Sequence, residues 1–192
     1  MKNNHIRNIV FAGLCIALCI VLPMAFHMFP NGGSVFCPMH IPVLICGLVC
    51  GWQYGLLCGI VGPLLSSLLT GMPPAPMLPS MMCELAVYGV VTALLMKAVH
   101  TKNTWADLYI SLVGAMLAGR VVAGIVKALI FARGEMTMSI WFTTHFVTAL
   151  PGIAVHLVFI PAIVAALIKA KILPPRYPAK TDAAAQQAGS AE

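Results

Sequence analysis

Six apolar runs alternate with short polar or proline-rich links along most of the chain. Each run is close to the length of one bilayer crossing, which needs about 20 mainly apolar residues. The runs extend over Ile9–Phe29, Val35–Cys50, Trp52–Leu69, Ser80–Met96, Leu108–Ala132 and Ile140–Ile168. The second run is the shortest and opens with Pro38 and Pro42. This pattern predicts an all-α membrane protein in which six transmembrane helices form a compact bundle.

The composition supports a membrane location. Hydrophobic residues make up 60% of the chain and charged residues only 8%, and the mean hydropathy is +0.96. Soluble globular proteins contain roughly 25% charged residues, so a soluble chain of this composition could not cover its apolar surface. We therefore expect a multi-pass protein of the cell membrane.

The basic residues predict the topology of the helices. Six crossings would leave only Arg133 on one side and would place all the other basic link and tail residues on the opposite side, namely Lys2, Arg7, Lys97, Lys102, Lys169, Lys171, Arg176 and Lys180. Cytoplasmic loops carry the excess of Lys and Arg. Both termini are therefore predicted to be cytoplasmic, and the net charge of +6 reflects topology rather than binding of nucleic acid.

The same topology divides the chain into a membrane domain and a tail. Residues 1–171 are predicted to form one six-helix domain, whereas residues 172–192 are rich in Pro, Ala and Gln and are predicted to be a disordered cytoplasmic tail. The turn at Phe29–Ser34, the uncharged proline-rich loop at 70–79 and the link at 133–139 would face outward.

Several kinds of chemistry are not indicated by the sequence. The seven cysteines all lie in apolar runs, and the pairs Cys15/Cys19 and Cys46/Cys50 have no nearby histidine or acid at ligand spacing, so the cysteines are interpreted as small buried side chains and no metal site is predicted. The chain contains no GxxxxGK[ST], GxGxxG or HExxH motif. We therefore predict no cofactor and no enzymatic activity, nucleotide hydrolysis included.

Ionisable residues within the apolar runs are the candidates for function, because charge is costly inside a membrane. They are His40, Glu84, Arg120, Lys127, His145 and His156. At about 1.5 Å of rise per residue, four of these residues would lie roughly 6–9 Å below the outer boundary, namely His40, Glu84, Lys127 and His145. Arg120 and His156 would lie deeper. The shared depth predicts a small-molecule site beneath the outer loops.

Two aromatic residues would accompany these groups, since Tyr88 and Trp141 lie within one turn of Glu84 and His145. Alternative interpretations stay open at this point. Glu84 could form a structural pair with Lys127 or with Arg120, Lys127 could extend outward to water, and each histidine could have a packing role only. The excess of cations over the one acid points to a ligand with a carboxylate or a heteroaromatic ring with polar edges.

Several local motifs resemble a known family of membrane proteins. They are Pro38-Met39-His40-Ile41-Pro42, the segment Leu69–Pro74, and Glu84-Leu85-Ala86 followed by Tyr88-Gly89. Together with the six apolar runs and the missing ATPase motif, they resemble the substrate-binding (S) component of an energy-coupling factor (ECF) vitamin transporter. Within that family, the niacin-type branch and its unassigned relatives are the most similar. The resemblance extends over about residues 9–168.

The resemblance implies a function and a set of partners. An S component binds a vitamin or its precursor beneath the outer loops. It then joins a membrane coupling protein and two cytoplasmic ATPases and carries the ligand inward by toppling in the bilayer. The family's Ala-x-x-x-Ala docking motif would correspond to Gly13 and Ala17, with glycine as a departure at the first position.

The expected ligand site combines the resemblance with the buried polar residues. Its substrate-binding residues would be His40, Glu84, Tyr88, Arg120, Lys127, Trp141 and His145. The carboxylate of nicotinate or of a related pyridine would meet Lys127 or Arg120, and its ring would stack on Trp141 or Tyr88. Pantothenate, pyridoxine and a queuosine precursor are alternative ligands. The competing functions are a stand-alone secondary permease and a membrane enzyme that uses Ser66 or Ser67 with His145 or His156.

Overall fold

The computed structural model describes residues 2–26, 36–130 and 150–173, together with positions 139, 143, 147, 148 and 177. Six helices account for most of these residues, and no strand occurs among them. The helices are α1 (Lys2–Phe26), α2 (His40–Cys50), α3 (Trp52–Thr70), α4 (Leu78–Ala98), α5 (Thr104–Ile130) and α6 (Leu150–Lys169). The predicted all-α class is confirmed. The Phe29–Ser34 turn, the link at Arg133–Thr137 and the predicted start of the last helix at Ile140 lie outside the described residues.

Five of these helices are long and apolar enough to cross a membrane, and α2 is the exception. With 11 residues, α2 is about 16 Å long, roughly half of a hydrocarbon core about 30 Å thick. The predicted start at Val35 is wrong for the described part of this helix. Cys37 has a φ of 46°, a left-handed value that an α-helix does not contain, so regular helix begins only at His40.

A single residue separates α2 from α3. Gly51 has a φ of 93°, which glycine adopts at little cost because it has no Cβ. Its N–H still donates to the carbonyl of Gly47 at 3.2 Å, and its own carbonyl accepts from the N–H of Gly55 at 3.0 Å. The two helices therefore form a tight hairpin at the break between the second and third apolar runs of the sequence.

Glycines allow α2, α3 and α4 to approach one another at backbone distance. A Cβ atom on Gly89 of α4 would collide with the backbone of Gly55 on α3, and a Cβ on Gly47 of α2 would collide with the carbonyl of Gly89. Small residues at a helix crossing permit this kind of contact in membrane proteins. Helix α4 is consequently central: it packs against α2, α3 and α5, while α1 packs against α2 and α3 at the periphery.

Five cysteines line the junction of α1, α2 and α3 as buried free thiols, namely Cys15, Cys19, Cys46, Cys50 and Cys58. Their side chains contact one another, with Cys46 against Cys15, Cys50 and Cys58. The prediction of small buried side chains holds for these residues. It is wrong for Cys83, which is exposed.

The chain after α6 returns to the first turn of α5. The hydroxyl of Tyr177 donates to Oδ2 of Asp107 at 2.7 Å, and Oδ1 of the same carboxylate accepts from the N–H of Thr101 at 2.8 Å. Asp107 lies three residues inside α5 and is fully buried. Tyr177 falls within the segment predicted as a tail, and that segment lies outside the described residues from 178 onward.

The glycine crossing predicts a large difference between two glycine-to-leucine substitutions. Gly89→Leu would drive a side chain into the backbone of α3, and overpacking of this kind costs about 1–3 kcal/mol or more. Gly13→Leu is the matched control, since nothing lies within 4 Å of a Cβ at that position. We expect Gly89→Leu to lower the melting temperature of the detergent-purified protein by several degrees and Gly13→Leu to leave it unchanged. Equal melting temperatures would contradict the close helix crossing.

Candidate ligand-binding site

Glu84 is the acid around which the buried polar residues gather. Glu84 and Tyr88 lie one turn apart on the same face of α4, as their spacing predicts. The hydroxyl of Tyr88 donates to Oε1 of Glu84 at 3.0 Å. The Tyr88 side chain is fully buried, and the Glu84 side chain is only 13% exposed, so this hydrogen bond forms in a setting poor in water.

His40, the first residue of α2, reaches the same carboxylate. Its Nε2 lies 3.7 Å from Oε1 of Glu84. Its ring centroid is 5.1 Å from that of Tyr88, with an angle of 59° between the ring planes. The structure thus brings together His40, Glu84 and Tyr88, three of the residues that the sequence analysis placed in one site.

Arg120 acts on this group from α5. It is 3% exposed and interacts electrostatically with Glu84, although residue counting placed it deeper in the membrane. The approach of α5 depends on Gly119, because a Cβ there would collide with the ring of Tyr88. Of the two partners left open for Glu84, Arg120 is the one whose charge acts on this carboxylate in the structure.

His156 belongs to the same cluster, although it is not among the site residues predicted from the sequence. It is fully buried on α6. Its ring stacks on that of His40, with the centroids 5.7 Å apart and 20° between the planes. Its Nε2 lies 3.1 Å from the carbonyl of Cys37. The only signal in the sequence was an ionisable residue within a membrane helix.

Depths counted along the helices did not place His156 beside His40, because the two residues just before α2 are themselves buried. Pro38, Met39 and His40 are all buried, so the segment that ends at His40 enters the bundle instead of lying at its rim. The carbonyl of Cys37 and the ring of His40 thereby reach the level of His156. A count of residues along each helix could not predict this contact, because the contact depends on how the two segments pack.

The remaining predicted site residues are Lys127, Trp141 and His145. Lys127 lies two turns beyond Arg120 on α5, is partly buried and interacts electrostatically with Cys37. Trp141 and His145 lie outside the described residues. The structure therefore places Lys127 near the cluster and leaves the other two positions as predictions.

Side-chain hydrogen bonds hold the loop between α3 and α4. The hydroxyl of Ser67 donates to the carbonyl of Pro73 at 2.8 Å, the hydroxyl of Thr70 accepts from the N–H of Met72 at 3.3 Å, and the hydroxyl of Ser80 donates to the carbonyl of Met77 at 2.9 Å. The loop leads directly into the turns of α4 that carry Glu84. These contacts and its prolines make it an ordered connection.

The arrangement suits binding of a polar small molecule. It offers one carboxylate, one guanidinium and two imidazoles in a buried setting, where polar contacts are stronger than in water. Within the described parts of the chain, no three His, Cys, Asp or Glu residues are placed to hold a metal ion. The hydroxyl of Ser67 donates to a loop carbonyl, and Nε2 of His156 faces the carbonyl of Cys37, so neither of these hydrogen bonds joins the two residues to each other.

Comparison with known proteins identifies the family. A family model described as "ECF transporter, substrate-specific component" matches residues 7–173. The comparison with curated proteins found no match, and neither did the comparison with solved structures. The family match covers most of the chain, and the apolar helices are those of a membrane-integral protein. The chain therefore belongs to the family of substrate-specific components of ECF transporters.

Proposed function

We propose that this chain binds a small vitamin or vitamin precursor from outside and delivers it inward together with a membrane coupling protein and two cytoplasmic ATPases. The observation that carries the proposal is the buried polar cluster of α2, α4, α5 and α6, in a chain whose family supplies substrate specificity. Costly intramembrane charges concentrated at one place are best explained by a ligand that uses them. Motifs for nucleotide binding are missing from the sequence, so the driving energy comes from the partners.

Niacin or a related pyridine is the favoured ligand, and pantothenate, pyridoxine or a queuosine precursor are the alternatives. Arg120 and Lys127 provide positive charge for an anionic or electron-rich group. Tyr88 is packed between His40 and Gly119, so in this proposal it positions Glu84. Stacking on the ligand ring then falls to Trp141, with His145 as a further polar contact.

The loop between α3 and α4, which is held by side-chain hydrogen bonds, favours tight binding of the ligand. A loop that is already ordered loses little conformational entropy when it closes over a ligand. The hydrogen bonds of Ser67, Thr70 and Ser80 with loop residues supply this order before any ligand arrives.

Helix α1 presents the proposed docking surface for the coupling protein. Gly13 and Ala17 are exposed one turn apart, between exposed apolar side chains that include Val10, Leu14 and Val21. Two small residues at this spacing allow another helix to approach closely. Nothing else in the described structure covers Gly13.

Co-purification tests the assembly directly. The tagged chain should bring down a coupling protein and two ATPases from native membranes, and mass spectrometry of the released small molecules should identify the cargo. A secondary permease, in which the close pair of His40 and Glu84 would relay protons, would come down without ATPases.

Substitutions in the cluster should weaken ligand binding. Glu84→Gln removes the charge that faces His40 and interacts electrostatically with Arg120, and hydrogen bonds to charged groups contribute about 1.5–3 kcal/mol. We expect a loss of about tenfold to a hundredfold in affinity for the co-purifying ligand by isothermal titration calorimetry. Tyr88→Phe should have a smaller effect, because it removes a single hydrogen bond.

Lys127→Ala should weaken binding as well, whereas Cys83→Ala is the control, since Cys83 is exposed next to Glu84 on α4. If Glu84→Gln and Lys127→Ala both bind the ligand with the affinity of the wild-type protein, these two residues do not belong to the site.

Substitutions on α1 should separate docking from ligand binding. Gly13→Leu and Ala17→Leu together would block the approach of a partner helix, so we expect the ATPases to be lost from the pull-down while the ligand affinity stays unchanged. Ala162→Leu, at an exposed alanine on α6, is the matched control and should retain the ATPases. Retention of the ATPases by the α1 double variant would show that docking uses another surface.

A further inference from the structure

The stacked imidazoles of His40 and His156 each carry a buried nitrogen that has no hydrogen-bond partner among the described residues. In both residues the atom is Nδ1, and the side chains belong to residues only 3% and 0% exposed. A buried polar atom left unsatisfied costs about 1–3 kcal/mol, and such atoms in folded proteins are normally matched by a protein group, a water or a ligand. Two of them on adjacent rings within the candidate site therefore indicate a missing polar partner.

The hydrogen-bonding role of the free nitrogen of His156 follows from its other nitrogen. Nε2 faces the carbonyl of Cys37 at 3.1 Å. A carbonyl oxygen only accepts, so Nε2 must carry the proton. A second proton would place a charge inside the bundle, which is costly. In the resulting neutral ring, Nδ1 is a bare acceptor, and it can be satisfied only by an N–H or O–H group.

We propose that Nδ1 of His156 accepts a hydrogen bond from the transported compound, and that the cargo therefore carries an N–H or O–H donor. This proposal rests on the proposed function and narrows its substrate class. An ionised carboxylate is an acceptor only. Among pyridines, a carboxamide thus fits His156 better than a carboxylate does, and hydroxylated or amide-containing compounds fit on the same ground.

Four compounds serve as probes of this requirement in calorimetric titrations of the purified full-length protein. Nicotinamide, pyridoxine and pantothenate carry donors, whereas ionised nicotinate has none. We expect at least one of the three donor compounds to bind about tenfold more tightly than nicotinate, as the loss of one buried hydrogen bond implies.

Two substitutions separate a ligand contact from a structural role of His156. His156→Asn places an amide near the position of Nδ1 and gives up the contact with Cys37. His156→Gln places an amide near the position of Nε2, so it keeps a donor for Cys37 and loses the acceptor at Nδ1. A ligand role predicts that the Asn variant retains the preference for the donor compound and that the Gln variant loses about tenfold in affinity for it. A purely structural role predicts that the Gln variant retains its affinity for the donor compound and that the Asn variant loses it. In that case the Asn variant also has the lower melting temperature.

The outcomes decide the proposal separately from the proposed function. Nicotinate binding as tightly as the best donor compound, or unchanged affinity in the Gln variant, would overturn the requirement for a donor and indicate that an internal water satisfies Nδ1. If none of the four compounds binds while the ATPases still co-purify, the substrate class is wrong and the transporter role stands. If the wild-type protein brings down no ATPases, this result counts against the transporter role and not against the requirement for a donor.

Discussion

The cost of placing the carboxylate of Glu84 inside a membrane bundle is the constraint on which the rest of the structure depends. A lone charge there is strongly destabilising, so the fold must surround it with groups that compensate. Tyr88 donates to it at 3.0 Å, His40 lies within 3.7 Å, and Arg120 offsets its charge. These groups come from three helices, and the compensation of one acid therefore determines how α2, α4 and α5 are placed relative to one another.

Glycine makes that placement possible. Polar groups from separate helices can meet only if the helix axes come close, and several of the close approaches occur at glycines, which carry no side chain. Gly119 receives the ring of Tyr88, while Gly55 and Gly89 allow α3 and α4 to touch through their backbones. Glycines, which carry no functional group, are thus the residues that allow the functional side chains to meet.

The interior and the exterior of the bundle have opposite character, and this contrast suits a substrate-specific component. Polar and ionisable groups are collected inside, whereas the exposed residues along α1 and α5 are mostly apolar, Val10, Leu14, Leu117 and Val121 among them. An apolar exterior allows the protein to tilt in lipid and to contact another membrane helix. Charged side chains that faced the lipid would oppose both. Capture of a ligand and coupling to energy can then reside in different proteins.

The sequence by itself determined the all-α membrane class, the break between the second and third apolar runs at Gly51 and the candidacy of His40, Glu84 and Tyr88, because apolar run length and intramembrane charge are local properties. Only the tertiary structure decided that α2 starts at His40, that Arg120 acts on Glu84 and that His156 stacks on His40. His40 and His156 lie on helices far apart in the chain, and a depth counted along each helix carries no information about rotation or about a buried approach segment. Contacts of that kind depend on how helices pack, which is a property of the whole bundle and not of any one run.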